Sequence, residues 1–98
     1  MYLTTNAKLF VSGVNFTENY SYGRGSVVFV DFQASYASFD NCTFKNNYAY
    51  NGGVFYAAYS SIVEITNSLI NENFGVVGGV GYVNNDGGMK IWDNTVIT

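Results

Sequence analysis

The sequence predicts an all-β chain wound as a parallel β-solenoid, about 3.5 coils of roughly 26 residues each, with both ends left uncapped. Three observations carry that prediction. Residues 44–56 read FKNNYAYNGGVFY and residues 70–82 read INENFGVVGGVGY, nearly the same string in chemical type, 26 positions on. Within each copy, apolar residues alternate with polar ones at a period of two, the pattern of a half-buried strand. The composition agrees. The chain is 48% hydrophobic and 18% aromatic, only 11% charged, and lacks Pro, which favours strands over helix or disorder.

The elements follow in order. Each coil opens on a strand: LFVSGVNF (9–16), ASFDNCTF (37–44), VEITNSLI (63–70) and MKIWDNTV (89–96), starting 28, 26 and 26 residues apart. Leu9 and Val11, Ala37 and Phe39, Val63 and Ile65, and Met89 and Ile91 form the inward parity of these strands. A short piece ends near Phe16, Phe44, Ile70 and Val96. A further strand then leaves the glycine pair as SVVFV, VFYAA and VGYVN. The first copy carries two surplus residues, expected between Gly25 and Ala37. The coils are therefore about 9–36, 37–62 and 63–88, with a partial coil 89–98, all in one solenoid segment spanning 1–98. A small antiparallel sandwich would explain the strands but not a recurrence of specific residues. A leucine-rich repeat has a similar period but needs an LxxLxLxxN spacing that is missing.

In a solenoid each strand pairs in parallel with its copy one coil away, about 4.8 Å along the axis, so like residues stack on like. Asn19, Asn47 and Asn73 are expected to form an inward amide ladder. Val11, Phe39, Ile65 and Ile91 form a core ladder, and Val14, Cys42, Ser68 and Asn94 share another stacked position. Gly25, Gly53 and Gly79 mark a corner where φ is positive or a Cβ would clash. Tyr20, Tyr48 and Phe74 align as a candidate aromatic contact ladder, as do Tyr22, Tyr50 and Val76. Tyr56 and Tyr82, grouped with Val28, align as another.

These blocks resemble the repeats of right-handed parallel β-helix proteins, the pectin-lyase-like superfamily. In particular they resemble the FxxN and GG[AILV] repeats of polymorphic outer-membrane proteins and related large surface proteins. FxxN stands here as Phe16-Thr-Glu-Asn19 and Phe44-Lys-Asn-Asn47, with Ile70-Asn-Glu-Asn73 a conservative departure. The glycine motif stands as Gly52-Gly53-Val54 and Gly78-Gly79-Val80, and Arg24-Gly25-Ser26 departs from it. The resemblance implies a right-handed coil, in line with the rule for parallel crossovers. It also implies an extracellular or cell-surface scaffold, adhesin or stalk, with carbohydrate-active enzymes in some branches.

Seven acids against four scattered bases, Lys8, Arg24, Lys45 and Lys90, give a net charge of −3 and no basic stripe for nucleic acid. The apolar runs are too short to span a bilayer, and residues 1–13 do not read as a signal peptide. No His and no adjacent pair of acids argue against an enzyme and against a cofactor. Glu64 and Lys90 are expected to face each other as an exposed ion pair. Asn84-Asn85-Asp86 reads as a corner turn rather than a Ca²⁺ site, having one carboxylate. Cys42 reads as a buried, inert thiol. Asn15 and Asn41 begin sequons that an outward-facing residue would leave open to N-glycosylation, whereas the sequon at Asn19 falls in the inward ladder.

Open solenoid ends expose unpaired strand edges. The expected partners are thus further coils of the same chain or copies of itself end to end, with glycans or other surface proteins as candidates on the aromatic ladders. The expected function is a structural or adhesive surface module, a stalk or fibre unit. The alternative is a carbohydrate-binding or polysaccharide-processing domain whose active site lies outside these residues.

Overall fold

The computed structural model describes residues 1–31 and 35–98. A strand β1 (Tyr2–Thr4) precedes the first coil, which holds β2 (Lys8–Ser12), β3 (Asn15–Thr17), β4 (Tyr20–Arg24) and β5 (Val28–Asp31). The second coil holds β6 (Tyr36–Asp40), β7 (Thr43–Lys45), β8 (Tyr48–Asn51) and β9 (Phe55–Ala58). The third holds β10 (Ile62–Thr66), β11 (Leu69–Asn71), β12 (Phe74–Val77) and β13 (Gly81–Asn84), and β14 (Gly88–Trp92) and β15 (Val96–Ile97) begin a fourth. Every pairing is parallel and joins equivalent strands of successive coils. Four walls result, taken in chain order from the first coil: β2-β6-β10-β14, β3-β7-β11-β15, β4-β8-β12 and, fourth, β1-β5-β9-β13. The chain is a parallel β-solenoid of stacked coils, as its repeat predicts. Each coil has four strands, because Tyr20–Arg24 and its copies pair as a wall of their own.

The abundance of Asn has a backbone cause. Among the described residues, every strand but β5 and β15 is followed by a residue with positive φ, and these corner residues stack coil on coil. Gly13, Asn41, Asn67 and Asp93 follow the first wall, and Glu18, Asn46 and Glu72 follow the second. Gly25, Gly52 and Gly78 follow the third. Thr5-Asn6, Tyr59-Ser60 and Asn85-Asp86 follow the fourth. A left-handed residue costs about 1–2 kcal/mol unless it is Gly or a short Asn or Asp, so such corners select those residues.

The core lies inside the four walls. Ala37, Phe39, Val63 and Ile65 point in from one wall, Phe44 and Ile70 from the next, and Val28, Val30, Phe55 and Ala57 from the fourth, all buried. Phe16, Phe39, Phe44 and Phe55 meet at its centre, with Phe16 stacked on Phe44 at 5.2 Å and Phe44 edge-on to Phe55 at 4.9 Å. Each such ring contributes roughly 1.5–3 kcal/mol by burial.

Three registers differ from the sequence reading. One of the two surplus residues sits at a bulge between Ser21 and Arg24, since Ser21 pairs with Ala49 and Arg24 with Asn51. The other falls between Val30, paired with Ala57, and Tyr36, paired with Ile62. The bulge shifts the glycine corner: positive φ belongs to Gly25, Gly52 and Gly78, so Gly53 and Gly79 lie one residue past it. Gly53 is nonetheless confined, for a Cβ there would lie 2.1 Å from the Gly79 carbonyl oxygen. The same bulge puts Phe29, not Val28, in line with Tyr56 and Tyr82. In the last coil an extra residue sits at the corner after β14, so Val96 pairs with Leu69 and Ile97 with Ile70. Thr95 thereby takes the stacked position expected of Asn94, its Oγ1 accepting from the Ser68 N–H at 3.3 Å.

Candidate binding pocket on the outer wall

Outward-facing residues of β5, β9 and β13 line a hollow of about 300 Å³ on the fourth wall. Its floor is an aromatic row running across the coils. Tyr2 packs edge-on to Phe29 at 4.8 Å, Phe29 lies 4.9 Å from Tyr56, and Tyr56 stacks on Tyr82 at 5.2 Å. Strand alternation requires Phe29 and Tyr56 to point out, because Val28, Val30, Phe55 and Ala57 fill the core. Tyr56 is nevertheless only 4% exposed. The Arg24 guanidinium accounts for part of this cover, lying 5.4 Å from the Phe29 ring centroid and 5.3 Å from that of Tyr56, a cation–π arrangement. The bulge in β4 is what brings Arg24 into register beside this row.

Asp31 stands two residues beyond Phe29, on the same face, and is 6% exposed. Its Oδ2 accepts a long 3.4 Å bond from the Tyr2 hydroxyl. Its Oδ1 is buried and has no hydrogen-bond partner among the described residues. Such an orphan costs about 1–3 kcal/mol, and more when charged. Asn84 lies on the far side, its amide within 3.5 Å of the Tyr56 hydroxyl. Tyr59 closes one corner with φ of 51°, a conformation a bulky side chain adopts only at a cost of about 1–3 kcal/mol. The pocket thus combines a flat aromatic floor, a guanidinium and an unsatisfied buried carboxyl. Sequence reasoning noted Arg24 as one of four scattered bases and as a departure from the glycine motif, and passed over Asp31. The legible signal was a lone acid closing the apolar run Val27–Val30.

The other expected residues are placed as follows. Tyr20 stacks on Tyr48 at 4.8 Å and Tyr48 on Phe74 at 5.5 Å, with ring planes 12° and 8° apart. This row lies on the outside of the third wall, Tyr20 being 61% and Phe74 59% exposed. Desolvation against its neighbours, and then the nearby Tyr22 and Tyr48 phenols, raise the Tyr20 pKa. The five aromatic candidates therefore fall on two different walls, with Tyr56 and Tyr82 on the pocket side and Tyr56 buried.

Asn19, Asn47 and Asn73 form one hydrogen-bonded ladder. Asn19 Nδ2 donates to Asn47 Oδ1, and Asn47 Nδ2 donates to Asn73 Oδ1, each at 2.9 Å. The same oxygens accept the backbone N–H of Asn19 at 3.0 Å and of Asn47 at 2.8 Å. Asn47 and Asn73 also donate to the carbonyls of Phe16 and Phe44. Asn15 and Asn41 are exposed, Asn41 at a left-handed corner. Cys42 is buried, with its thiol 3.3 Å from the Asp40 carbonyl oxygen.

Glu64 pairs in register with Lys90, but its carboxylate is engaged otherwise. It accepts the Tyr36 hydroxyl at Oε1 and the Trp92 indole N–H at Oε2, the latter at 3.1 Å. The hydrogen bond to Glu64 and then burial raise the Tyr36 pKa. An exposed ion pair does form between Lys45 and Glu72, 3.9 Å apart. Among the described residues no group of three or more His, Cys, Asp or Glu is arranged to hold a metal ion. Among the described residues no helix is long and apolar enough to cross a membrane. Comparison of the chain with protein-family models, with curated proteins and with solved structures finds no match.

Proposed function

We propose that this chain is a non-catalytic structural module of an extracellular or cell-surface β-solenoid, serving as a stalk, a fibre unit or an adhesive scaffold. The observation that supports the reading best is the exposed stripe on the third wall. Tyr20, Tyr48 and Phe74 run along it with Tyr22, Tyr50 and Val76 exposed nearby, giving an apolar contact surface on a rigid frame. The FxxN and glycine-pair likeness to the repeats of polymorphic outer-membrane proteins points the same way. The free edges of outer strands such as β2 and β14 suit pairing with further coils of the same chain or with copies of itself. Negative-stain images of the native polypeptide that carries this sequence test the proposal. Rods or fibres are expected, and compact monomers alone would overturn it.

A second reading has support from the near-parallel stacking of Tyr20, Tyr48 and Phe74: spaced flat rings suit the faces of sugar rings. Binding on a glycan array that is lost on Tyr48→Ala would support a carbohydrate-binding surface. An array with no binding removes this reading for these residues.

A further inference from the structure

We infer that the outer-wall pocket is a binding site for a small zwitterion, an α-amino acid with a flat apolar side chain. The inference stands on a different wall from the stripe above and does not rest on the scaffold reading. Three features select the ligand. The buried Asp31 Oδ1 has no donor among the described residues, and a ligand ammonium supplies one with the opposite charge. Arg24 lines the same hollow with guanidinium donors, which suit a carboxylate. Between them the half-buried Phe29 offers ring surface, with Tyr56 lying beneath the Arg24 guanidinium.

Charge balance argues for both ionic groups on one molecule. A simple cation would be repelled by Arg24, which already sits over Phe29 and Tyr56. A simple anion would meet the Asp31 carboxylate. A zwitterion answers both. A neutral sugar would satisfy Asp31 through a hydroxyl but would leave the guanidinium without a counter-charge. Arg24 and Asp31 are carried by separate strands, and the β4 bulge sets the register of the first. The site is thus a product of a coil that departs from the repeat.

The test is a titration followed by NMR of the aromatic ring resonances with three probes: phenylalanine, 2-phenylethylamine and 3-phenylpropionate. Phenylalanine should bind at least about tenfold more tightly than either half-ligand, as expected for adding one charge-assisted contact. Asp31→Asn should abolish its advantage over 3-phenylpropionate. Arg24→Gln should abolish its advantage over 2-phenylethylamine. Equal affinities for the three probes, or no binding of any, would overturn the inference. So would methyl β-glucoside binding more tightly than phenylalanine, which would make the pocket a sugar site. The wild-type comparison decides the matter even if a variant fails to fold.

Discussion

Asn19–Asn47–Asn73 and Tyr20–Tyr48–Phe74 are adjacent in sequence at every coil, yet the two rows live in opposite surroundings. The amides point into the wall, where Asn47 is fully buried and the Asn47 and Asn73 amide oxygens each take two N–H groups from the preceding coil. The rings point outward and stack on each other, with Tyr22 edge-on to Tyr20. A step of one residue along a strand reverses the face, so both rows inherit the same coil spacing with different duties. Inside, a missed partner leaves a buried polar group unpaired. Outside, a missed ring uncovers a surface that water tolerates. The inner row holds the coil together, and the outer one is free to be used.

The largest effect should come from breaking both rows at once. A Cβ on Gly53 would lie 2.1 Å from the Gly79 carbonyl oxygen and 2.8 Å from the Phe74 carbonyl group, immediately after Asn73. Gly53→Val should lower stability by about 3 kcal/mol or more, read as the urea midpoint. Ser38→Val, on the outward face of β6, should move it by no more than about 0.5 kcal/mol. Equal effects would mean that the walls are not registered as described.

Next comes the inner row alone. Asn47→Ala removes four side-chain hydrogen bonds and strands the Asn19 N–H and the Phe16 carbonyl. A loss of about 2–4 kcal/mol is expected by the same denaturation. The outer row sharpens the contrast: Tyr48→Ala removes two stacked contacts and should cost only about 0.5–1.5 kcal/mol. If Tyr48→Ala proved as damaging as Asn47→Ala, the outer stack would be structural and poorly suited to a partner.

The inner row was legible in the sequence because three Asn recur beside aromatic or aliphatic residues with fixed offsets. The walls were legible for the same reason. What stayed hidden was wherever a coil departs from the repeat. Tyr22-Gly23 looks like part of an uninterrupted copy of Tyr48–Asn51, so nothing in the letters placed a bulge there. The glycine corner consequently fell one residue late, and Phe29 was taken out of line with Tyr56. The outer pocket was hidden for a related reason. Arg24 and Asp31 occupy no shared repeat position, and only the shifted register brings both against Phe29 and Tyr56. Glu64 illustrates a different limit: alignment puts Lys90 beside it, but Tyr36 and Trp92 on the neighbouring coils reach its oxygens. Register gives neighbours; side-chain length and hydrogen-bond directionality choose among them.

The smallest effect concerns a corner on the outer face. Asp40 Oδ1 accepts from the Thr66 hydroxyl and the Asn67 amide of the next coil, each at 2.8 Å. The Asn67 bond and then the Thr66 bond favour the ionised form and hold the Asp40 pKa below the ordinary aspartate value. A carboxyl whose folded pKa is depressed contributes stability above its unfolded pKa, and that contribution disappears as pH falls through the folded value. The stability difference between wild type and Asp40→Asn should therefore be level near neutral pH. It should shrink toward zero in acid, over the range where Asp40 itself titrates. A carboxyl-carbon NMR titration locates that range independently, and urea midpoints at each pH give the difference. A difference that stays constant from neutral pH into strong acid would show that Asp40 acts through its shape and not its charge. The corner would then be held, like the amide ladder, by hydrogen bonds alone.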